Sequence, residues 1–361
     1  MILRRLYPRR VTEALNVFDY EALAASRLGA GAYDYYTGGA NDELTLRENV
    51  EAFRRWQLRP RVLRDVSSPT SATTVLGQDV SLPVLVAPVA YQRAAHPDGE
   101  VGMARGTRAA GTIMCLSTFS TSSPADVAAT GVDRWFQLYV PRDDALSREL
   151  CQQAAELGFA ALVVTVDLPA SGRRERDLRS GWVVPPEYLV STVGLRGLRP
   201  HEFVAQVSPS VTWDDVGSLA AGTKLPVLLK GILTAEDALL AVEHGVAGIV
   251  VSNHGGRQLD GVPATIDVLG EIADAVDGHI EVLVDGGIRR GTDVVKALAL
   301  GASAVLAGRA PLWGLAAAGE DGVRHVLELL RAEVELALQL LGCRSPAELT
   351  RAHVVRSPAL A

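Results

Sequence analysis

The sequence predicts one large α/β domain, a (β/α)8 TIM barrel with an N-terminal helical cap. The chain has 361 residues, of which 48% are hydrophobic, which is enough for one barrel-sized domain or for two smaller ones. Short apolar runs rich in β-branched residues alternate with helix-like stretches rich in Ala, Leu and Glu. Polar residues collect where these runs end, as functional residues do at the carboxyl ends of barrel strands.

Eight runs of strand character follow one another from about Pro83 onward. Apolar runs of this length are typical of strands buried on both faces of a parallel sheet. Eight such strands can close a barrel, whereas a doubly wound open sheet would show the same alternation of strands and helices. The predicted strands are 84–87, 112–116, 135–139, 161–166, 227–230, 248–251, 281–284 and 304–307.

Two segments lie outside this alternation, and we interpret the whole chain, residues 1–361, as a single domain. Residues 1–77 are predicted to form the helical cap, in which Gly38 and Gly39 of "YDYYTGGANDELTL" end one helix before another begins. The barrel is predicted to span 78–340. Residues 172–215 form a long irregular insertion after strand 4, of the kind that often serves as a mobile lid.

Composition excludes several classes of partner and site. The net charge of -7 includes no basic block, which argues against nucleic acid and anionic membrane surfaces as partners. The three cysteines, Cys115, Cys151 and Cys343, are too few and too widely spaced for a disulfide framework or a metal knuckle, and they favour a reducing cytoplasm. No apolar run has the length of a signal peptide core or a membrane span. We therefore expect a cytoplasmic protein without a bound metal.

Two glycine-rich turns predict a phosphate site. Asp285, Gly286 and Gly287 follow the seventh strand, and Gly308 and Arg309 follow the eighth. These two turns form the usual phosphate site of such barrels, and arginines such as Arg289 would add charge-assisted hydrogen bonds. Because no Gly-x-Gly-x-x-Gly turn links a strand to a helix, a mononucleotide fits better than a nicotinamide dinucleotide.

His254 is the candidate general base. It stands at the end of the sixth strand, and its ordinary pKa lies near neutrality. Asp167, at the end of another strand, could orient the imidazole, and Arg257 offers a guanidinium fork for a carboxylate. A second arginine pair, Arg173 and Arg174, follows Asp167. An isolated histidine is more often structural, but this clustering favours catalysis.

Three further strand residues have functional interpretations. Lys230 ends "LPVLLK" on a buried strand, where an ammonium group needs a negative partner such as an anionic cofactor ring. Tyr139 ends the third strand, with Gln137 two residues earlier on the same face. The alternative for Lys230 is a side chain that extends to solvent at the rim.

The motifs together resemble a known family. The segments "SNHGGRQLD", "LKGI", "DGGIRRGTDVVKALALGA" and "GRA", with "FQLY" and "TVD" followed by "GRRERD" upstream, are similar to the FMN-dependent α-hydroxy-acid oxidases and dehydrogenases. This is the group of glycolate oxidase, lactate oxidase and mandelate dehydrogenase. The resemblance extends from about Val17 to Arg351, and the His-Gly-Gly-Arg-Gln-Leu-Asp block is highly specific.

The resemblance implies a role for each motif residue. His254 would take a proton from the hydroxyl or the α-carbon of the substrate, and Asp167 would support it. Tyr139 would hydrogen-bond the reacting hydroxyl group. The substrate would be bound by Tyr35, Arg174, Arg257 and Phe119, with the two arginines and Tyr35 on its carboxylate.

FMN is the cofactor that the resemblance implies. Lys230 would face the N1/O2 edge of the flavin, Asp285 would meet the ribityl chain, and the phosphate would be bound by Gly287, Arg289, Gly308 and Arg309. The implied cofactor-binding residues are Pro88, Val89, Ala90, Ser117, Gln137, Thr165, Lys230, Ser252, Asp285, Gly286, Gly287, Arg289, Gly308 and Arg309.

The implied reaction is oxidation of an L-2-hydroxy acid to a 2-oxo acid, by hydride transfer or through a carbanion. Membrane-bound dehydrogenases of the family carry an apolar insertion in the lid region, which is missing between 172 and 215, so O2 is the expected acceptor, with hydrogen peroxide as product. A dehydrogenase with another acceptor, a different FMN-barrel enzyme such as an isomerase, and a catalytically silent phosphate-binding barrel are the alternatives. The resemblance also implies a homotetramer.

Two departures from glycolate oxidase bear on the substrate. Phe119 replaces the tryptophan of its "LSSW" segment, and Val89 replaces the threonine of its "APTA" segment. The segment "APVAYQR" is similar to that of hydroxymandelate oxidases. We therefore expect mandelate or 4-hydroxymandelate as the substrate, with glycolate, lactate or a longer aliphatic 2-hydroxy acid as the alternatives.

Overall fold

Eight parallel strands close into a barrel in the order in which they occur in the chain. The computed structural model describes residues 14–185, 188, 192, 202 and 204–357. The barrel strands are β1 (Val84–Val86), β2 (Ile113–Leu116), β3 (Asp133–Leu138), β4 (Leu162–Thr165), β5 (Val227–Ile232), β6 (Gly248–Val251), β7 (Glu281–Asp285) and β8 (Ala304–Ala307). Strand β8 returns to pair with β1, which confirms the predicted (β/α)8 barrel.

The strand bounds agree with the predicted ones to within two residues. Strands β6 and β8 have the predicted bounds. Strand β3 starts at Asp133 rather than Trp135, because its first two residues pair with Ile113 and Met114 although they are polar. Strand β5 continues past Lys230, and its register against β6 shifts between Lys230 and Ile232.

Alternate residues of the strands fill the barrel interior. Trp135 is fully buried there beside aliphatic side chains such as Leu228 and Leu283. A hairpin of Thr73–Val75 and Gln78–Val80 precedes β1, and its valines belong to the same buried cluster. The hairpin therefore closes the amino end of the barrel and leaves the carboxyl end for the site.

Helices cover the outside of the barrel and form the cap. The described α-helices are α1 (Val17–Arg27), α2 (Ala30–Thr37), α3 (Leu44–Glu51), α4 (Gly99–Ala110), α5 (Pro124–Ala129), α6 (Asp144–Glu156), α7 (Glu175–Ser180), α8 (Trp213–Gly222), α9 (Ala235–Glu243), α10 (Thr265–Val276), α11 (Gly291–Ala299) and α12 (Arg309–Leu341). Helix α12 is kinked at Ala318 and Gly319. None of the described helices has both the length and the hydropathy that a bilayer-spanning segment requires.

The predicted cap contains α1, α2 and α3, followed by a short strand. This strand, Trp56–Leu58, pairs antiparallel with Val354–Arg356 near the end of the described chain. Helix α1 packs on α12, where the Tyr20 hydroxyl lies 2.7 Å from His325 Nδ1. The C-terminal residues beyond the predicted barrel limit of 340 thus support the cap. Residues 1–13 of the predicted cap lie outside the described residues.

The predicted lid segment, 172–215, is only partly described. Residues 186–187, 189–191, 193–201 and 203 lie outside the described residues. Helix α7 and the start of α8 fall within the segment. Pro141 forms an isolated bridge with Val207, which ties the end of the segment to the loop after β3. The mobility of this lid stays a prediction.

Candidate active site

His254 stands at the centre of the site in an unusual backbone conformation. Its φ of 56° lies in the left-handed region that side chains other than glycine rarely adopt. Its Nδ1 lies 2.8 Å from Asp167 Oδ1, and its Nε2 lies 3.5 Å from the hydroxyl of Tyr139. Because a carboxylate only accepts hydrogen bonds, Nδ1 carries the proton and Nε2 presents a lone pair. The imidazole is thus arranged as a base.

The protonation of this pair follows from its surroundings. Burial lowers the pKa of His254 below its ordinary value, and the nearby Asp167 only partly offsets the effect. Burial would raise the pKa of Asp167, but His254 and Lys230 lower it below its ordinary value. The His254 side chain keeps 17% of its surface exposed. At neutral pH the pair is therefore a neutral imidazole beside an ionised carboxylate.

Gly231 leaves the space that Asp167 occupies. It follows Lys230 in β5, and its φ of 120° favours glycine. A Cβ at this position would lie 2.7 Å from Asp167 Cβ and 3.0 Å from the Asp167 backbone nitrogen. The glycine of "LKGI" is thus a packing requirement, since a side chain there would displace the partner of His254.

Lys230 is a buried ammonium group with two partners. Its Nζ lies 3.0 Å from Asp285 Oδ2 and donates to Ser252 Oγ at 2.8 Å. Burial would lower the pKa of Lys230, but Asp285 and Asp167 raise it above its ordinary value. The lysine is 4% exposed, so the alternative of a side chain extending to solvent is wrong. It stays charged at the base of the site.

Two guanidinium groups meet beside the base. Arg257 Nη1 donates to the carbonyl oxygens of Tyr35 and Gly38, and the guanidinium lies 5.0 Å from the centroid of the Tyr35 ring. Burial and then the nearby Arg174 lower the pKa of Arg257 to about 10. Arg174 Nε reaches the Arg257 carbonyl oxygen at 3.5 Å. Both arginines line the cavity of His254, and a second cation near the buried guanidinium of Arg257 favours an anionic ligand there.

Aromatic rings form one wall of the site. The Phe119 ring lies 5.1 Å from that of Tyr139 and 5.6 Å from that of Tyr91. The Tyr35 ring lies 5.2 Å from that of Trp182. Burial, and then the charge of Asp167, raise the pKa of Tyr139, so its phenol stays protonated. The wall is apolar except for the hydroxyl groups of the tyrosines and the indole N–H of Trp182.

Gln137 joins the ends of three neighbouring strands. Its Oε1 accepts hydrogen bonds from Ser117 Oγ at 3.3 Å and Thr118 N at 3.2 Å, and its Nε2 donates to Thr165 Oγ1 at 3.0 Å. All four residues are buried. The network fixes the hydroxyl groups of Ser117 and Thr165 at the rim of the barrel.

The two glycine turns lie at the ends of β7 and β8, as predicted. Gly286 and Gly287 have φ values of 96° and 81°. A Cβ on Gly287 would lie 1.8 Å from the carbonyl oxygen of Asn49 in α3, so the turn and the cap touch through glycine. Gly308 precedes Arg309 at the N-terminus of α12, where backbone N–H groups attract anions.

The two predicted phosphate-site arginines differ in their contacts. Arg289 is 8% exposed, and its buried Nε has no hydrogen bond among the described residues. Arg309 donates from all three guanidinium nitrogens to the carbonyl oxygens of Tyr36, Gly38 and Gly255. Burial, and then Arg257 and Arg289, lower the pKa of Arg309 to about 9. The Arg309 guanidinium thus joins the cap to the loop of His254, and its contact with a phosphate stays a prediction.

One cavity at the carboxyl end of the barrel collects the predicted residues. It is lined by Tyr35, Pro88, Val89, Ala90, Ser117, Phe119, Tyr139, Thr165, Arg174, Lys230, His254, Arg257, Asp285, Gly286, Gly287, Arg289, Gly308 and Arg309. The other three predicted residues lie behind the wall. Each forms a side-chain hydrogen bond with a residue of the lining: Gln137 donates to Thr165, Asp167 accepts from His254, and Ser252 accepts from Lys230.

The donor set of the cavity fits FMN. The buried ammonium group of Lys230 lines the cavity. Buried Arg289 lines it too, together with the glycine turn after β7 and the N-terminus of α12. Asp285 Oδ1 and Arg289 Nε are buried without a hydrogen-bond partner among the described residues, although Arg289 Nε lies 3.8 Å from Glu21 Oε2, so each has hydrogen-bonding capacity for a polar ligand. The described residues contain no cluster of His, Cys, Asp and Glu suited to a metal ion.

Comparison with known proteins decides the family. Residues 24–356 match the profile of a family described as FMN-dependent dehydrogenase. The chain belongs to the FMN-dependent dehydrogenase family. It is 51% identical to glycolate oxidase 1 of Zea mays over 355 residues, which cover 95% of this chain and 96% of that protein. It is 49% identical to an L-lactate oxidase of Nostoc sp. over 349 residues, which cover 92% and 96% of the two chains.

Solved structures of the same fold include a mandelate oxidase mutant with (S)-mandelic acid. That chain has a TM-score of 0.87 and 47% identity, with 92% of this chain and 96% of the other covered. As a member of the FMN-dependent dehydrogenase family, the chain is an FMN enzyme, and its reaction is the FMN-dependent oxidation of a 2-hydroxy acid.

Several residues at the family site were not predicted from the sequence. Tyr91, Leu168 and Val204 line the cavity, and the Trp182 ring packs against the Tyr35 ring at an interplanar angle of 39°. Apolar and aromatic residues of this kind give no local signal that separates a cavity wall from the core. Glu100 was also missed. Its buried carboxylate accepts hydrogen bonds from five groups on Gln92, Thr121 and Ser122, and so joins the loops after β1 and β2.

Proposed function

We propose that this enzyme is an oxidase of L-2-hydroxy acids with an aromatic side chain, first of all mandelate or 4-hydroxymandelate. The products would be the 2-oxo acid and hydrogen peroxide, with O2 as the electron acceptor. The observation that carries the proposal is one cavity lined by a base, His254, two guanidinium groups, Arg174 and Arg257, and the buried ammonium group of Lys230. A carboxylate between the arginines would place the neighbouring α-carbon beside the imidazole.

The proposed roles follow from the contacts. Arg257 and Arg174 bind the substrate carboxylate, and an anion there relieves the repulsion between them. Tyr35, under the Arg257 guanidinium, completes this end of the pocket. Tyr139 donates its phenol hydrogen to the substrate hydroxyl oxygen. His254 Nε2 takes the proton from the hydroxyl or the α-carbon, and Asp167 stabilises the imidazolium that results.

FMN, when bound, accepts the two electrons that leave the substrate. Lys230 would lie at the edge of the flavin where negative charge collects, as a preorganised positive group. Pro88, Val89 and Ala90 would run beside the ring, and Ser117, Gln137, Thr165 and Ser252 would lie around it. Asp285 and Gly286 would meet the ribityl chain. Gly287, Arg289, Gly308 and Arg309 would hold the phosphate.

The aromatic wall supports an aromatic substrate. Phe119 lies against Tyr139 and Tyr91, so a substrate ring beside it would contact rings rather than polar groups. The mandelate oxidase solved with (S)-mandelic acid shares 47% of its residues with this chain. Glycolate or L-lactate is the second candidate substrate, because the oxidases with these names are about as similar over nearly the whole chain.

The test is anaerobic reduction of the flavin. Purified enzyme is mixed without O2 with glycolate, L-lactate, (S)-mandelate, (S)-4-hydroxymandelate or a long-chain L-2-hydroxy acid, and loss of flavin colour is followed. We expect the fastest reduction with an aromatic acid and one hydrogen peroxide per 2-oxo acid in air. Faster reduction by glycolate or L-lactate would transfer the assignment to that acid. No reduction by any acid would contradict the proposed reaction, and turnover without peroxide would favour a dehydrogenase.

Replacement of Asp167 by Asn is expected to lower the reduction rate on the order of 10²-fold. The imidazolium formed during the reaction loses its charged partner. The carboxylate raises the pKa of His254, so its loss should move the acid limb of the kcat/KM profile to lower pH. The measurement is a pH profile of both variants. Asp274→Asn, on the exposed side of α10, serves as the control. An acid limb that stays in place or moves to higher pH would disprove this role.

A homotetrameric assembly and a cytoplasmic location remain part of the proposal. The support for the tetramer is the resemblance to the family. The three cysteines are free and buried, in agreement with a reducing compartment. Light scattering of the purified FMN-loaded enzyme would measure the number of subunits.

A further inference from the structure

Two asparagine side chains without a role so far form a closed pair beneath His254. Asn49 lies in α3 of the cap, and Asn253 directly precedes His254. Each side-chain amide donates to the carbonyl oxygen of the other at 2.8 Å. The two residues are 2% and 3% exposed and 204 positions apart in the chain. A buried, reciprocal pair of this kind uses the donor and the acceptor of both amides.

The pair supports a segment with an unusual backbone, residues 252–257, which we term the base loop. His254, Gly255 and Gly256 have φ values of 56°, 64° and 76°. Three successive residues in the left-handed region persist only when neighbouring groups hold them. Asn253 Oδ1 accepts from Gly256 N at 3.2 Å, and Asn253 Nδ2 donates to Pro263 O at 3.2 Å. The side-chain amide of Asn253 therefore bonds both to Asn49 and to the backbone that shapes the base loop.

Asn49 also touches the turn after β7. A Cβ on Gly287 would lie 1.8 Å from the Asn49 backbone oxygen, and one on Gly286 would lie 3.3 Å from Asn49 Cγ. One residue of the cap thus contacts the base loop through its side chain and the proposed flavin-binding turn mainly through its backbone. It lies between the two parts whose relative position decides whether a substrate above the flavin meets His254.

We propose that Asn49 is a positioning residue for the oxidation, whose side chain fixes the base loop and with it the imidazole of His254 relative to the flavin. This inference rests on the proposed role of His254 as the base. Asn49 touches neither the substrate nor the cofactor in this role. A side chain that only stabilised the cap would affect unfolding, but not the protonation of His254 in the folded enzyme.

The experiment compares Asn49→Ala, Asn49→Asp and the control Glu51→Gln, an exposed residue of the same helix, all as FMN-loaded enzymes. The alanine variant removes the amide and keeps the backbone contact with the turn. The aspartate variant keeps the shape but places a carboxylate oxygen against Asn253 Oδ1. We expect both to reduce the flavin about 10- to 100-fold more slowly, because a small displacement of a catalytic group has this effect. Glu51→Gln should match the wild type.

Two readouts separate positioning from a purely structural role. Burial lowers the pKa of His254, so a loosened base loop should admit water and move the acid limb of kcat/KM to higher pH in the alanine variant. The dissociation constant for FMN, measured by fluorescence titration of apoprotein, should change less than about threefold, since the backbone contact remains.

The outcomes decide between the claims. Unchanged reduction rates and an unchanged acid limb in a folded variant would overturn the role of Asn49. If Asn49→Ala does not fold, the test rests on Asn49→Asp. A wild-type rate of flavin reduction in the aspartate variant would then overturn the role of Asn49. Reduction of the wild type by a 2-hydroxy acid is the reference; its absence would contradict the proposed function itself and not the positioning by Asn49.

Discussion

His254→Ala is expected to lose flavin reduction by a 2-hydroxy acid while keeping its flavin. The imidazole is the group at the centre of the cavity whose basic nitrogen points toward the Tyr139 hydroxyl. General base catalysis contributes about 10²- to 10⁴-fold, so the rate should fall by at least that range. The proposed flavin contacts lie on Lys230, Asp285 and the glycine turns, which the substitution leaves in place. Anaerobic stopped-flow absorbance measures both the bound flavin and its rate of reduction.

The control for this variant is His279→Ala, an exposed histidine in the turn before β7. It should retain wild-type reduction and flavin content. Near-normal turnover of His254→Ala would refute the assignment of the base. Loss of flavin would instead show that the loop of His254 is needed for the cofactor site, and reduction would then be measured after reconstitution with FMN.

Lys230→Met is expected to affect both stability and flavin reduction. The ammonium group is the partner of Asp285, which is 6% exposed. Removal of one member of a buried ion pair costs about 3–5 kcal/mol, because the other charge stays buried without compensation. The reduced flavin would also lose the positive group that balances its negative charge. We therefore expect a lower free energy of unfolding, a lower reduction potential and slower reduction by substrate.

A double variant separates these two effects. Adding Asp285→Asn to Lys230→Met removes the uncompensated carboxylate, so the free energy of unfolding should recover in part. The reduction potential should stay low, because no positive charge returns. Lys224→Met, on the exposed surface, controls for loss of a lysine. A reduction potential and reduction rate like those of the wild type in Lys230→Met would contradict the proposed contact with the flavin.

The sequence predicted the barrel because its signal is local. Most of the strands contain a short apolar run, often with β-branched residues, and the alternation with helices requires no long-range information. The pairing of Trp56–Leu58 with Val354–Arg356 was missed, since neither segment has a pattern that marks its partner. The residues at the strand ends were predicted for a physical reason as well. Parallel strands bring their carboxyl ends to one rim, so His254, Asp167 and Lys230 had to lie near one another.

The contacts between the site and the cap were harder to predict from the sequence. The reciprocal amide pair joins Asn49 and Asn253 across 204 positions, and nothing local to either residue indicates the other. The Arg309 side chain donates to carbonyl oxygens of the cap, a contact that its place in "GRA" after β8 does not indicate, and its contact with a phosphate stays a prediction. Both features arise where α2 and α3 fold over the barrel rim, and such packing is decided by shape rather than by periodicity.

The short sheet that joins the cap to the end of the described chain bears on the order of events during translation. Gln57 Nε2 donates to Ser357 Oγ, and these residues are 300 positions apart. Domains generally fold from the N-terminus as the ribosome releases them. The cap strand leaves the ribosome early, but its partner strand follows only after all eight barrel strands have been made. A nascent chain thus cannot pair these two strands until all eight barrel strands have been synthesised.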